Sequence, residues 1–508
     1  MTAPAPQIEY PDEIDAAVLK TAGVVVIGMI MSILDITVVN VALPTFQKAF
    51  DVRDYATVAW AVTAYTLALA TVIPLTGWAA DRFGTKRLFI TALVLFTAGS
   101  VLCSTATDIN MLIGFRVLQG LGGGMLMPLG MTIMTRAAGP ARIGRLMAIL
   151  GVPMLLGPIA GPVLGGWLID SASWHWIFLI NVPLGAIAIV YAYLVLEKDN
   201  PEPSESFDFL GMALMSPGLA LFLYGVSSIP GEGTVTADKV WIPALIGLVL
   251  IVSFVFHSFR PEHPLLDLRL FKNRNLAISI ITMFLFIMAF FGGLLLVPTY
   301  FQEVRGETVL KAGLLVAPQG IGAMLTMPIA GSLADKIPVG RIVPFGIVGI
   351  VIGLFGLTQL TGDTPYWHVI VWLFIMGLGT GGTMMPLFTS ALKNLTHHEV
   401  ARGSTLLNVN QQISSSIGVA VMSVILTNHF NNSDLARPAM AAIKDPSADH
   451  NAPNVVKGIA EAGAAFADTY WVALTLVALT LIPIFFLPRK REESHLLDDE
   501  GAPPVMVH

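Results

Sequence analysis

The sequence predicts an all-α polytopic membrane protein: two six-helix halves with two further helices inserted between them, fourteen spans in all. Three observations predict it. Apolar residues make up 55% of the 508 and charged residues only 12%, against about 25% charged in soluble domains. Apolar runs of about 20 residues, each enough to cross a bilayer, recur along the whole chain. Two segments repeat half a chain apart. With mean hydropathy +0.74, this chain needs lipid as its solvent, which excludes a cytosolic enzyme. Cys103 is the single cysteine, so there is no internal disulfide, and a net charge of −6 offers no basic surface to nucleic acid.

The first six spans are read at 22–44, 57–80, 88–107, 110–133, 145–169 and 175–196. The inserted pair lies at 209–228 and 240–258. The last six lie at 276–301, 311–334, 342–361, 366–388, 404–427 and 468–488. The domains follow: an N-terminal half at 1–200, the insert at 201–262, a C-terminal half at 263–491 and a tail at 492–508. The first apolar run exceeds a signal-peptide core and is read as a retained helix. The loop at 429–467 is the longest, with room for a short surface helix.

Lys and Arg set the orientation. With the N-terminus inside, 19 of the 28 fall on the inner side, 8 on the outer side, and Arg116 lies within a span. Arg489, Lys490 and Arg491 fall inside only if the number of spans is even. Both termini are therefore expected in the cytoplasm of a multi-pass protein of the inner (plasma) membrane.

The repeat pairs GWAADRFGTKR (77–87) with GSLADKIPVGR (331–341), offset by 254. It also pairs GLGGGMLMP (120–128) with GLGTGGTMMP (377–386), offset by 257. Both pairs keep the same order, as two homologous halves would.

Ionisable residues inside spans are costly and point to function. Asp35 lies in LDITVVNVALP (34–44), and Arg116 is the one base well inside a span. At 1.5 Å per residue both sit ~10 Å from the outer boundary. They are read as the proton-coupling pair, against the alternative of a static buried ion pair. Asn40 falls on another face of the first span.

Gly77, Asp81, Arg82, Gly84, Lys86 and Arg87 form the short basic loop after span 2, with Asp335 in its weaker copy. The glycines are expected to make a tight turn and Asp81 to serve an inner gate. In GPIAGPVLGG (157–166), Gly157, Gly161 and Gly165 share one face for close helix approach. Pro158 and Pro162 remove backbone donors, and Gly166 closes the motif.

Asn408, Gln411, Gln412 and Ser415 give span 13 a polar face, for a cavity or for helix glue. Gln119, Gln319 and Glu303 join Asn40 as cavity candidates. His257, His263, His397 and His398 show no metal spacing. No Walker lysine motif is present, so ATP is not the direct energy source.

Together these segments resemble the 14-span drug:proton antiporter branch of the major facilitator superfamily, the EmrB/QacA type. Repeated six-helix halves are the architecture of that superfamily. RVLQGLGGG (116–124) resembles its span 4 motif, and WHWIFLINVPLG (174–185) a branch segment in which Arg is common at His175. The resemblance implies that Asp35 and Arg116 face a central cavity and that Asp81 serves the cytoplasmic gate. It implies proton-coupled export of apolar or amphipathic molecules, as in multidrug efflux and antibiotic resistance. The proton gradient is the energy source and no cofactor is expected. Substrate, protons and the bilayer are the partners, with any periplasmic or cell-wall partner left open. No acid lies deep in spans 9–14, which argues against dicationic substrates. The alternative is a dedicated exporter of an endogenous lipid, siderophore or metabolite; a receptor or membrane enzyme fits less well, for want of a soluble domain or a catalytic cluster.

Overall fold

In a computed structural model the chain is helical, with no strand among the described residues. Those are 14–52, 55–139, 142–198, 206–393, 395–396, 399–445 and 447–489. The tail 492–508, Lys490, Arg491, His397 and His398 lie outside them, as do the side chains of Pro158 and Pro162.

The N-terminal half contains α1 (Ala16–Ala49), α2 (Tyr55–Phe83), α3 (Thr85–Ser104), α4 (Ile109–Ala138), α5 (Ile143–Ser171), and a sixth span split into α6 (Trp176–Leu179) and α7 (Asn181–Val195). The insert is α8 (Phe209–Glu232) and α9 (Asp238–Ser258). The C-terminal half contains α10 (Arg274–Glu303), α11 (Val309–Lys336), α12 (Val339–Leu357), α13 (Tyr366–Lys393), α14 (Val400–Asn431), the short α15 (Ala436–Lys444) and α16 (Pro453–Ile484). Thirteen of these units are long and apolar enough to cross a membrane. The fourteenth expected span is the 29-residue α5, where several side chains lie outside the described set.

Most apolar runs continue as helix past at least one expected membrane edge, because hydrogen bonding within a helix does not stop where hydrophobicity does. The largest difference is at the last span. Residues 453–467 were expected in a loop and instead open α16, with Pro453 at its first turn, where a missing N–H costs nothing. Asp108 and Thr308 cap α4 and α11 by accepting the backbone N–H of Met111 and Lys311.

The two halves repeat in three dimensions. In the first, α4 packs on α2 and α3, and α1 on α5; in the second, α13 packs on α11 and α12, and α10 on α14. Glycines make both sets of contacts. A Cβ on Gly120 would lie 2.5 Å from the Tyr65 carbonyl oxygen, and one on Gly377 would lie 2.0 Å from that of Gln319. Gly122 meets Ala92 O at 2.7 Å, and Gly379 meets Gly346 O at 2.4 Å. Gly124 meets Leu69 O at 2.7 Å, and Gly381 meets Ala323 O at 2.4 Å. Each glycine pair is 257 residues apart and each partner pair 254, the two offsets of the sequence repeat. Only a residue without a Cβ allows backbones this close.

The insert packs beside both halves. α8 lies against α2, with Trp60 and Tyr224 stacked at 5.5 Å, and against α14. α9 packs on α8, where Gly247 meets Phe222 N at 2.3 Å. Asp208 ties the pair together by capping α8 through Gly211 N (2.7 Å) and bonding His257 Nε2 at 2.7 Å.

Candidate functional site

α1 brings Asp35 and α4 brings Arg116 into direct contact through Arg116 Nη1 and Asp35 Oδ2, with both side chains fully buried. The same Nη1 donates to Gln119 Oε1 at 2.7 Å, and Nε donates to the Ala61 carbonyl at 2.8 Å. The guanidinium stands over the Tyr65 ring, 4.1 Å from its centre. Such a cation over an aromatic face is attracted by the ring quadrupole.

The second carboxylate oxygen, Asp35 Oδ1, accepts from Gln119 Nε2 (2.8 Å) and Asn181 Nδ2 (3.4 Å). Both amides also donate to Ser100 Oγ, at 2.6 and 3.2 Å. Tyr65 and Ser32 bond at 3.0 Å alongside. Four helices, α1, α3, α4 and α7, are thus tied to one carboxylate. A buried charge pair is tolerated only with further hydrogen bonds of this kind.

Sequence reasoning missed Asn181, Ser100, Tyr65 and Ser32. Asn181 was within reach: it lies in WHWIFLINVPLG, at the break between α6 and α7. Gln119 was expected to line a cavity and is instead wholly buried in the ion-pair network, where Asp35, Ser100, Arg116 and the Cys103 thiol take up its donors and acceptor. Asn40 is exposed and donates to its own helix at Ile36 O.

The second constellation lies at the end of the bundle that carries the 77–87 loop, called here the basic end. There the halves are joined twice. Asp81 on α2 faces Arg402 of α14 at 3.6 Å and Arg136 of α4 at 3.7 Å. Asp335 on α11 accepts from the Gly144 backbone N–H at 2.7 Å and from Arg145 Nε at 3.2 Å, at the start of α5. A carboxylate at a helix N-terminus meets unpaired N–H groups and the positive end of the dipole. Gly144 and Gly331 press backbone to backbone; a Cβ on Gly144 would lie 2.2 Å from Gly331 O. Asn408 reaches from α14 to Met131 Sδ at 3.2 Å, which is inter-half glue.

One expectation for this end needs correction. Gly84 makes the turn, with φ +90°, but Gly77 does not. Gly77 sits inside α2, where a Cβ would meet Thr405 Oγ1 at 3.0 Å and Arg402 Cα at 3.3 Å, so its role is close approach to the other half. Lys86 donates to the Tyr193 and Leu196 carbonyls, closing the C-terminus of α7 within its own half. Arg87 is exposed, and Arg82 lies partly buried in the last turn of α2.

The glycine face of α5 packs on α1. Cβ atoms on Gly157, Gly161 and Gly165 would lie 2.2 Å from Ile33 Cγ2, 2.0 Å from Thr37 Oγ1 and 3.1 Å from Val38 Cγ1. Gly166 is outside this face, and a Cβ there meets nothing within 4 Å. α5 runs unbroken through its prolines. At the opposite end Glu303 is not in a cavity: it pairs with Lys444 of α15 at 2.7 Å. Gln412 is half-buried, whereas Gln319 and Gln411 are buried. No group of His, Cys, Asp and Glu able to hold a metal occurs among the described residues.

Two repeated halves, joined at one end and holding a buried ion pair in one of them, define a membrane transporter. The chain belongs to the Major Facilitator Superfamily, whose family model matches residues 25–419, and within it to the drug:proton antiporter branch. It is 48% identical over 507 residues to the multidrug resistance protein B homolog of Mycobacterium tuberculosis H37Rv, covering 96% of this chain and 93% of that protein. It is 31% identical over 400 residues to the multidrug export protein EmrB of Escherichia coli K12, covering 78% of each. Its fold matches the proton:xylose symporter XylE with TM-score 0.60 at 14% identity, over 94% of this chain and 98% of that one.

Proposed function

We propose that this protein exports small apolar or amphipathic molecules in exchange for protons, by alternating access. The observation that carries the reading is the donor-only shell of Asp35. Arg116, Gln119 and Asn181 all donate to the carboxylate. A protonated Asp35 would bring an O–H into a shell with no acceptor turned toward it, so protonation must break or re-orient at least one of these bonds. Arg116 cannot yield a proton at any physiological pH. Proton binding and rearrangement of α1 against α4 and α7 are therefore linked, which is what coupling requires.

The gate completes the cycle. Asp81–Arg402 and Asp335–Arg145 join the halves at the basic end, and these contacts part when that end opens. The 19-to-8 charge asymmetry supports a cytoplasmic basic end, cytoplasmic termini and an inner-membrane location. The names of the relatives support drug-like substrates, carried from the cytoplasm outward.

The test is efflux of a labelled compound panel from inverted vesicles, with and without an imposed pH gradient. Accumulation of apolar or amphipathic compounds that collapses with the gradient is expected. Transport indifferent to the gradient would overturn the reading.

A further inference from the structure

Gln319 occupies in α11 the place that Tyr65 occupies in α2, since Gly377 meets its carbonyl as Gly120 meets that of Tyr65. The two environments differ. The Tyr65 hydroxyl bonds Ser32, and its ring carries Arg116. The positions corresponding to Ser32 and Arg116 are Phe286 and Leu373, both apolar and buried. Gln319 is only 3% exposed, and neither its Oε1 nor its Nε2 has a hydrogen-bond partner among the described residues. Burying an amide with both ends unpaired is costly.

Room lies at the same depth on the neighbouring helix. Gln319 is ten residues from the start of α11 and Gly293 ten from the end of α10, each about 15 Å in from the end opposite the basic one. Gly293 is buried, yet a Cβ built on it would meet no heavy atom within 4 Å beyond its own helix backbone. Phe290 and Phe286 stand three and seven residues earlier, on the same face of α10, with their rings stacked at 5.8 Å. The one charged side chain buried in the C-terminal half among the described residues is Asp335, at the basic end.

We propose that Gln319 is the polar anchor of a substrate subsite between α10 and α11. The subsite takes a neutral group with a donor and an acceptor side by side, such as a carboxamide, lactam or imide, on an otherwise aromatic molecule. The glutamine carboxamide pairs both of its ends with such a group, and the α10 face supplies the apolar wall. The proposal deepens the export reading and rests on it for the word substrate.

The experiment is fluorescence titration of the purified full chain with 1-pyrenecarboxamide and its N,N-dimethyl form, which lacks the N–H donors. Wild type is expected to bind the primary amide about tenfold more tightly, as one extra hydrogen bond allows. Gln319→Leu should lose that preference, with its thermal stability equal or higher because an unpaired amide has been removed. Gln319→Met is the second variant if the leucine packs poorly. Equal affinity of wild type for the two probes, no binding of either, or a preference that survives in Gln319→Leu and Gln319→Met would overturn the proposal. Binding needs no gradient, so failure of the export reading would appear in the vesicle experiment and not in this one.

Discussion

Arg116 in α4 and Leu373 in α13 stand at one position of the repeat, 257 residues apart, as do Gln119 and Met376. The glycine contacts make the match physical: Gly99 packs on Gln119 as Gly353 packs on Met376. Aligning Pro44 of α1 with Pro298 of α10 puts Ala289 opposite Asp35. The N-terminal half thus carries a charge network where the C-terminal half carries apolar side chains. At the basic end the difference disappears. Asp81 and Asp335 occupy matching places, and each faces a base on the other half. On the proposed mechanism, a gate between halves uses both because the interface is shared, whereas a proton site needs only one, and a second buried ion pair would add desolvation cost without a second task.

The largest effect expected from breaking this comparison is at the glycine contacts common to both halves. Gly161→Leu against Thr37 and Gly418→Leu against the Met288 carbonyl (a Cβ at 2.0 Å in each) should both abolish transport. Overpacking costs about 1–3 kcal/mol or more. Efflux assays at matched protein amount check this, and wild-type activity in either variant would mean that its helix pair separates freely.

Arg116→Leu, which writes the C-terminal residue into the N-terminal half, comes next. It leaves Asp35 buried without its counter-ion, a change that costs about 3–5 kcal/mol in buried pairs. A lower melting temperature and loss of pH-driven efflux are expected. The reverse comparison is Leu373→Met, which should leave coupling intact, since volume-conserving swaps cost under about 1.5 kcal/mol.

The gate aspartates should give smaller and similar losses. Asp81→Asn and Asp335→Asn each remove one charge from an interface that opens, and a transport rate reduced roughly tenfold is expected for both, in the range of ordinary conformational coupling. Initial-rate efflux checks it. A normal rate for one and a dead transporter for the other would show that the gate is not symmetric.

The smallest effect concerns side. Thr85→Cys in a Cys103→Ser background should react with a membrane-impermeant thiol reagent in inverted vesicles and stay unlabelled in intact cells. Labelling from outside would reverse the topology.

Much of this was legible in the sequence, for reasons particular residues make clear. Asp35 and Arg116 stand out because an ionisable group inside an apolar run is costly to bury, and counting residues from span ends put them at one depth. The halves were legible through glycines that tolerate no replacement. Asn181 and Ser100 were not, since a neutral polar side chain inside a span is common and only contact reveals its partner. Gly77 was misread because spacing alone does not separate a turn glycine from one that meets a neighbouring helix. Residues 453–467 of α16 were read as loop because hydropathy reports the bilayer and not the helix. Gln319 was legible as polar, but its lack of a partner was not.

The central claim is that Asp35 is the proton site. The direct test is substrate-induced proton release from proteoliposomes containing Asp35→Asn, whose amide cannot take up a proton. The account predicts no release and no uphill efflux, with substrate binding retained. Proton release at the wild-type level from that variant would contradict it and move the site elsewhere.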